Sequence, residues 1–231
     1  SLHDALPISI SSSGTYLITN AQVWEKSLFF EDVVNSDDVF DVGNAIINKF
    51  TFGINNIDET YTNVVFKDAV VIPSIGLLVN GQPEMHQKGI FIVEDTKYDG
   101  AIIKLTCLDL MERFDRPYTT SLTYPATLRQ IVNDAITNCG ITINNTVYPL
   151  VPDTFPNETY QVAEKPTKES LSYREVISWC AQIAGCFARI SRLGRLEIKW
   201  FDTANLTQIQ DVINTTPVPV HTDVNNLYEC F

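Results

Sequence analysis

The stretch that decides the fold is Leu171-Ser-Tyr-Arg-Glu-Val-Ile-Ser-Trp-Cys-Ala-Gln-Ile-Ala-Gly-Cys-Phe-Ala-Arg-Ile-Ser-Arg-Leu-Gly-Arg-Leu-Glu-Ile-Lys-Trp200. Ser172 and Glu175 form an S-x-x-E capping box, in which each side chain satisfies a backbone N–H at a helix start. Leu171 before the cap and Val176 one turn in are spaced as a hydrophobic staple. Tyr173, Val176, Ile177, Cys180, Ala184 and Phe187 recur at three- and four-residue steps, which predicts one apolar helix face. Gly185 is placed to end that helix with positive φ. The residues that follow alternate, Leu196, Ile198 and Trp200 against Arg195, Glu197 and Lys199, so a tight hairpin is expected.

Upstream, Thr127 opens a second box, T-x-x-Q, with Gln130. Leu128, Ile131, Val132, Ala135, Ile136 and Cys139 line one face and Gly140 stops the helix. A short strand Ile141–Ile143 follows, and Tyr148–Lys165 is Pro-rich and irregular. Two capped helices, each followed by β structure, define an α+β module over 117–205, with a boundary at Arg116-Pro117.

Residues 10–116 read as β. Ile46–Ile54 alternates Ile46, Asn48, Phe50 and Phe52 against Ile47, Lys49, Thr51 and Gly53, the period of a half-buried strand. Leu28–Val34 is a short apolar run closed by Asn35-Ser36-Asp37-Asp38. Pro73 and Gly76 interrupt Ala69–Val79, which predicts an edge strand or a bulge. Asn80-Gly81 signals a hairpin, and Gly89–Asp95 pairs with Ala101–Leu108 around Tyr98-Asp99-Gly100. Leu110–Phe114 has the length of one helical turn. Many strands with short turns and no long helix predict an antiparallel β-barrel or sandwich. The whole chain is therefore expected to be α+β.

The 231 residues, 45% hydrophobic and 19% charged, suffice for a buried core and argue against general disorder. A formal net charge of −12 argues against a nucleic-acid grip, which needs clustered Lys and Arg. No apolar run approaches a membrane span. The first eight residues read codon for codon as the translation of a common sequencing adapter, so 1–9 is expected to be an artefact. Residues 206–231 stop within what reads as a strand, the expected start of a further, truncated β segment. Asn144, Asn157, Asn205 and Asn214 fit N-x-S/T without a secretory leader to give the sequons meaning.

No residue pattern carries catalysis or a cofactor. The five cysteines, Cys107, Cys139, Cys180, Cys186 and Cys230, are odd in number and lack C-x-x-C spacing. Cys180 falls inside a helix and Cys139 at a helix C-terminus, where the dipole opposes a thiolate, so both are expected to be buried and inert. His86, expected in a solvated loop, and His221 lie far apart without metal-ligand spacing. Asp37-Asp38 and Asp58-Glu59 sit in polar loops with no cleft to make them an acid–base pair. Trp24, Trp179 and Trp200 are expected in the core. The one cluster with reach toward a partner is Arg189, Arg192 and Arg195 around the Ser191–Gly194 turn, a candidate protein interface.

Four blocks carry a family resemblance. They are Asn48-Lys-Phe-Thr-Phe-Gly-Ile-Asn55; Gly89-Ile-Phe-Ile-Val-Glu94 through Ile103-Lys-Leu-Thr-Cys-Leu-Asp-Leu-Met-Glu-Arg-Phe-Asp115; Tyr124-Pro-Ala-Thr-Leu-Arg-Gln-Ile-Val132; and Leu171–Trp200. Over Thr15–Asp202 the chain resembles the N-terminal part of tail-tip, or baseplate, hub proteins of siphophages and prophages of Gram-positive bacteria. The resemblance implies a tail-tube-like β domain and a structural role at the virion tail tip after synthesis in the host cytoplasm. It implies a homotrimer that closes or extends the tube, touches the distal tail protein and the tape-measure protein, and anchors host-recognition or lytic domains. The acidic balance would then suit a lumen that repels passing DNA. Two other readings stay open: the non-catalytic leader of a tail-associated peptidoglycan hydrolase, and a carbohydrate-binding β module, which exposed aromatic platforms would favour.

Overall fold

The alternation over Ile46–Ile54 becomes a strand whose inner face is aromatic. Phe50 and Phe52 are buried, stacked with ring centroids 4.9 Å apart, and Phe30 stacks on Phe50 at 4.3 Å. The computed structural model describes residues 8–11, 14–33, 41–79 and 82–200. The expectations on Asn80-Gly81, Asp37-Asp38, His221, Cys230 and 206–231 lie outside the described residues.

Eight strands form one antiparallel sheet: β1 (Ile8–Ser11), β2 (Thr15–Ile18), β3 (Phe29–Glu31), β4 (Lys49–Asn55), β5 (Val70–Val79), β6 (Gln82–Gln87), β7 (Phe91–Asp99) and β8 (Ile102–Asp109). Their order is β2-β1-β5-β7-β8-β4-β3, with β6 attached to β5. The sheet is antiparallel, as expected, but strongly curled and open, a half-barrel, which corrects the expected barrel or sandwich. Closure needs the two end strands to meet with matched length and stagger. Here they are short: β2 has four residues and β3 only three before the chain turns polar. Alternation shows which strands exist; it does not say whether the first and last can pair.

Two further details differ from the sequence reading. At Val70 and Val71, β5 is internal, with β1 on one side and β7 on the other. Past Pro73 its partner changes to β6, over Ser74–Val79. The strand expected from Ile46 starts at Lys49, because Asn48 serves as a polar anchor: its Oδ1 accepts from the Val33 N–H at 2.7 Å. The β7–β8 hairpin forms as expected, with a register shift between Val93 and Asp95.

The concave side of the sheet holds one core, built from Ile10, Phe50, Phe66, Val93, Leu105 and their neighbours. A 3₁₀ turn, Leu110–Phe114, then leads into a second core made with α1 (Leu128–Cys139) and α2 (Tyr173–Ala184). Short two-stranded pieces complete it: β9 (Ala126–Thr127) with β12 (Gln161–Val162), β10 (Ile141–Ile143) with β11 (Thr146–Tyr148), and β13 (Phe187–Ile190) with β14 (Leu196–Lys199). Residues up to Lys199 form one compact unit.

Both helix starts follow from their boxes. The Thr127 Oγ1 accepts from the Gln130 N–H at 3.2 Å while Gln130 Oε1 accepts from the Thr127 N–H at 2.8 Å. The same reciprocal pair joins Ser172 and Glu175 at 3.2 and 3.0 Å. Gly185 ends α2 in the left-handed region, φ +68°. Since one cap satisfies one orphan N–H, Ser172→Ala is expected to cost about 1 kcal/mol of stability. A urea titration showing no change in midpoint would refute that role.

Candidate functional site

The end of β8 carries the chain from one core to the other, and Asp109 stands at that joint. It is 4% exposed, one of few buried polar residues among those described. Its N–H donates to the Asn48 carbonyl at 2.9 Å, which ties β8 to the start of β4. Its Oδ1 accepts from the Met111 N–H at 2.9 Å and so caps the 3₁₀ turn. Its Oδ2 is buried beside the Asn48 groups and makes no close hydrogen bond among the described residues.

Asp109 lines a cleft of about 520 Å³ between the curled sheet and the β13–β14 hairpin. Phe30, Ile75, Ile90, Phe91 and Ile190 supply apolar wall. Glu31 and Asp32 from β3 and the residue after it, and Lys88, Arg189 and Arg192, supply its charged lining. Burial pushes the Asp109 carboxyl up to about 7, and the Asp32 charge adds to this against the Met111 N–H and the Asn48 groups. The carboxyl is therefore largely a neutral acid below pH 7.

The hairpin is held near the cleft by close packing. Gly194 has φ +73°, and a Cβ there would meet Ile90 Cδ1 and Tyr148 Cδ1 at 2.7 Å. The Gln87 side-chain amide donates to the Arg192 carbonyl at 2.7 Å. The three arginines separate. Arg189 donates to Glu197 Oε2 at 2.9 Å, across the hairpin, and faces the cleft. Arg195 turns away, donating to the Val151 carbonyl at 2.7 Å and lying 3.1 Å from Asp153. Arg192 is exposed at the cleft rim.

The described thiols, Cys107, Cys139, Cys180 and Cys186, are free and buried. Burial raises Cys139 to about 11 and Cys180 to about 12, which removes their thiolates at neutral pH. No group of three His, Cys, Asp or Glu suited to a metal exists among the described residues. His86 is exposed on β6, 3.5 Å from Glu84, rather than in a loop.

The tryptophans correct the sequence reading. Trp24, Trp179 and Trp200 are 42%, 36% and 44% exposed. Trp179 flanks the buried stripe of α2 instead of lying in it, and β14 ends at Lys199, so Trp200 escapes the alternation. Trp24 covers Gly53 and lines a shallower recess of about 350 Å³ with Thr51, Lys97, Ile102 and Lys104.

With this geometry in view, three solved structures share the fold. The 43 kDa tail protein of prophage MuSo2 from Shewanella oneidensis aligns at TM-score 0.50 and 12% identity, over 83% of this chain and 53% of that one. The tail protein from Neisseria meningitidis MC58 aligns at 0.56 and 12%, over 86% and 52%. The chain shares the fold of these tail proteins. A chain of the Francisella PdpA–VgrG complex aligns at 0.52 and 10%, over 92% of this chain and 33% of that one. The likeness to tail proteins is general and does not single out siphophages or Gram-positive hosts. The chain spans about half the length of the two tail proteins it matches. No protein-family model and no curated protein matches it.

Proposed function

We propose that the chain is a structural part of a phage tail-tip hub, in which the curled sheet supplies wall for the tail tube. The observation that carries this reading is the open half-barrel, with β2 and β3 as ends, in a fold shared with tail proteins. An open sheet presents unpaired N–H and C=O groups at its ends, and these favour a neighbouring chain that covers them. Copies arranged around an axis would join open sheets into a continuous wall, and a homotrimer is the assembly proposed. In this reading 10–116 is the tube-like domain and 117–205 the bracing α+β module. The distal tail protein and the tape-measure protein are the proposed neighbours, and host-recognition or lytic domains would follow.

Native mass spectrometry of the purified chain tests the assembly. The expected main species has three times the 26.0 kDa chain mass; a monomer at all concentrations would refute the trimer. Of the proposed interface arginines, Arg192 is the clean probe, because it is exposed at the hairpin turn. Arg192→Glu is expected to lower the trimer fraction while leaving thermal unfolding within about 0.5 kcal/mol. Reversal at Arg189 or Arg195 would also break the pairs with Glu197 and Asp153. Unchanged assembly in Arg192→Glu would remove this residue from the interface.

A further inference from the structure

The Asp109 cleft has features that the hub reading does not use. Its floor carries a buried carboxyl whose Oδ2 makes no close hydrogen bond, with only the Asn48 groups near enough to favour charge on that oxygen. Beside it lies the buried Asn48 amide. The rim carries both signs, Glu31 and Asp32 against Lys88 and Arg192, while Arg189 is already paired with Glu197. Such a rim has no strong net charge with which to select a simple anion or cation. What it offers is a ring of hydrogen-bond donors and acceptors around the apolar Phe30, Ile90 and Ile190. The volume of about 520 Å³ falls within the ~300–1,000 Å³ usual for small-molecule sites.

We propose that this cleft binds a neutral saccharide unit, with hydroxyls on Asp109, Asn48 and Lys88 and its C–H faces against Phe30, Ile90 and Ile190. A sugar suits both halves of that lining, since each ring presents hydroxyls at its edge and carbon–hydrogen surface on its faces. Asp109 in its acid form offers a donor O–H together with an acceptor, whereas its anion can only accept. The charged groups facing it are Asp32 and Glu31 from the β3 side, Lys88 before β7, and Arg189 and Arg192 from the hairpin. Affinity is therefore highest in acid and declines as pH rises past about 7.

The test is amide chemical-shift mapping of the full chain with maltose, lactose, cellobiose and N,N′-diacetylchitobiose, in which the last sugar separates an amino-sugar source from the others. The expected result is shifts at Ile90, Asp109 and Ile190 with at least one sugar. Asp109→Asn should keep binding and flatten its pH dependence. Lys88→Ala, an exposed change that leaves the fold intact, should weaken it by about tenfold. Three outcomes would overturn the proposal: no shifts with any sugar, shifts confined to the Trp24 recess, or binding unaffected by Lys88→Ala. So would a preference for phosphate or an alkylamine that rises steeply as salt falls. The trimer is read by mass and sugar binding by amide shifts, so failure of the hub reading and failure of this proposal are distinguished.

Discussion

Asp109→Asn is expected to flatten the pH dependence of stability and to make the protein more stable than wild type at pH 8. The folded-state value of about 7 lies above the ordinary 3.8, so the folded protein holds this proton more tightly than the unfolded chain. Stability from this group is complete below about pH 4, declines as pH rises through the window from 4 to 7, and stays low above it. At 1.36 kcal/mol per pH unit, the span corresponds to about 4 kcal/mol. Asparagine keeps the Oδ1 acceptor that caps the 3₁₀ turn and cannot ionise. The two proteins should then match near pH 4 and diverge with rising pH. Carboxylates held low by a partner, such as Glu158 beside Arg129 and Glu175 beside Lys168, act in the opposite direction in acid, but they are common to both proteins. Parallel curves of unfolding free energy against pH would show that Asp109 ionises as freely in the folded state as in the unfolded one.

Phe50→Ala is expected to cost about 3–5 kcal/mol, the range for removing a buried aromatic side chain. Phe50 is 0% exposed and touches three other rings, Phe30, Phe52 and Phe91, at centroid distances of 4.3, 4.9 and 5.5 Å. Phe30 belongs to the three-residue end strand β3, which among the described strands pairs with β4 alone. Loss of the Phe50 ring therefore removes the main apolar support of that end of the sheet. Guanidinium titration should show the lowered midpoint, and hydrogen exchange should show the amides of Phe29–Glu31 losing protection first. A loss below about 1 kcal/mol would mean that the site collapses around the gap.

How much was legible in the sequence follows the range of the interactions. The capping boxes at Thr127 and Ser172 and the Gly185 stop involve residues within a few positions, and each formed as read. The inner face of β4 was legible because period-two alternation needs no knowledge of the partner strand. Strand order was not, since whether β2 and β3 meet depends on residues far apart in sequence. The Pro-rich segment read as irregular is tied down by side chains from outside it: Arg129 donates to the Pro152 and Asp153 carbonyls at 2.8 and 2.9 Å and pairs with Glu158, and Arg195 donates to the Val151 carbonyl at 2.7 Å. The Asn144-Asn145 turn between β10 and β11, both at positive φ, lacked the glycine that usually advertises such a turn. Asp109 sat in the quoted Leu-Asp motif, but as one carboxylate at a strand end it carried no sign of burial. Only the cleft, assembled from β3, β5, β8 and the hairpin, marks it as a site residue.

The most direct test of the proposed tail-hub role is immunogold labelling of intact virions with antibodies raised against the purified chain. The account predicts gold at the end of the tail farthest from the capsid. Gold on the capsid, or antigen found only in the lysate and absent from purified particles, would contradict it.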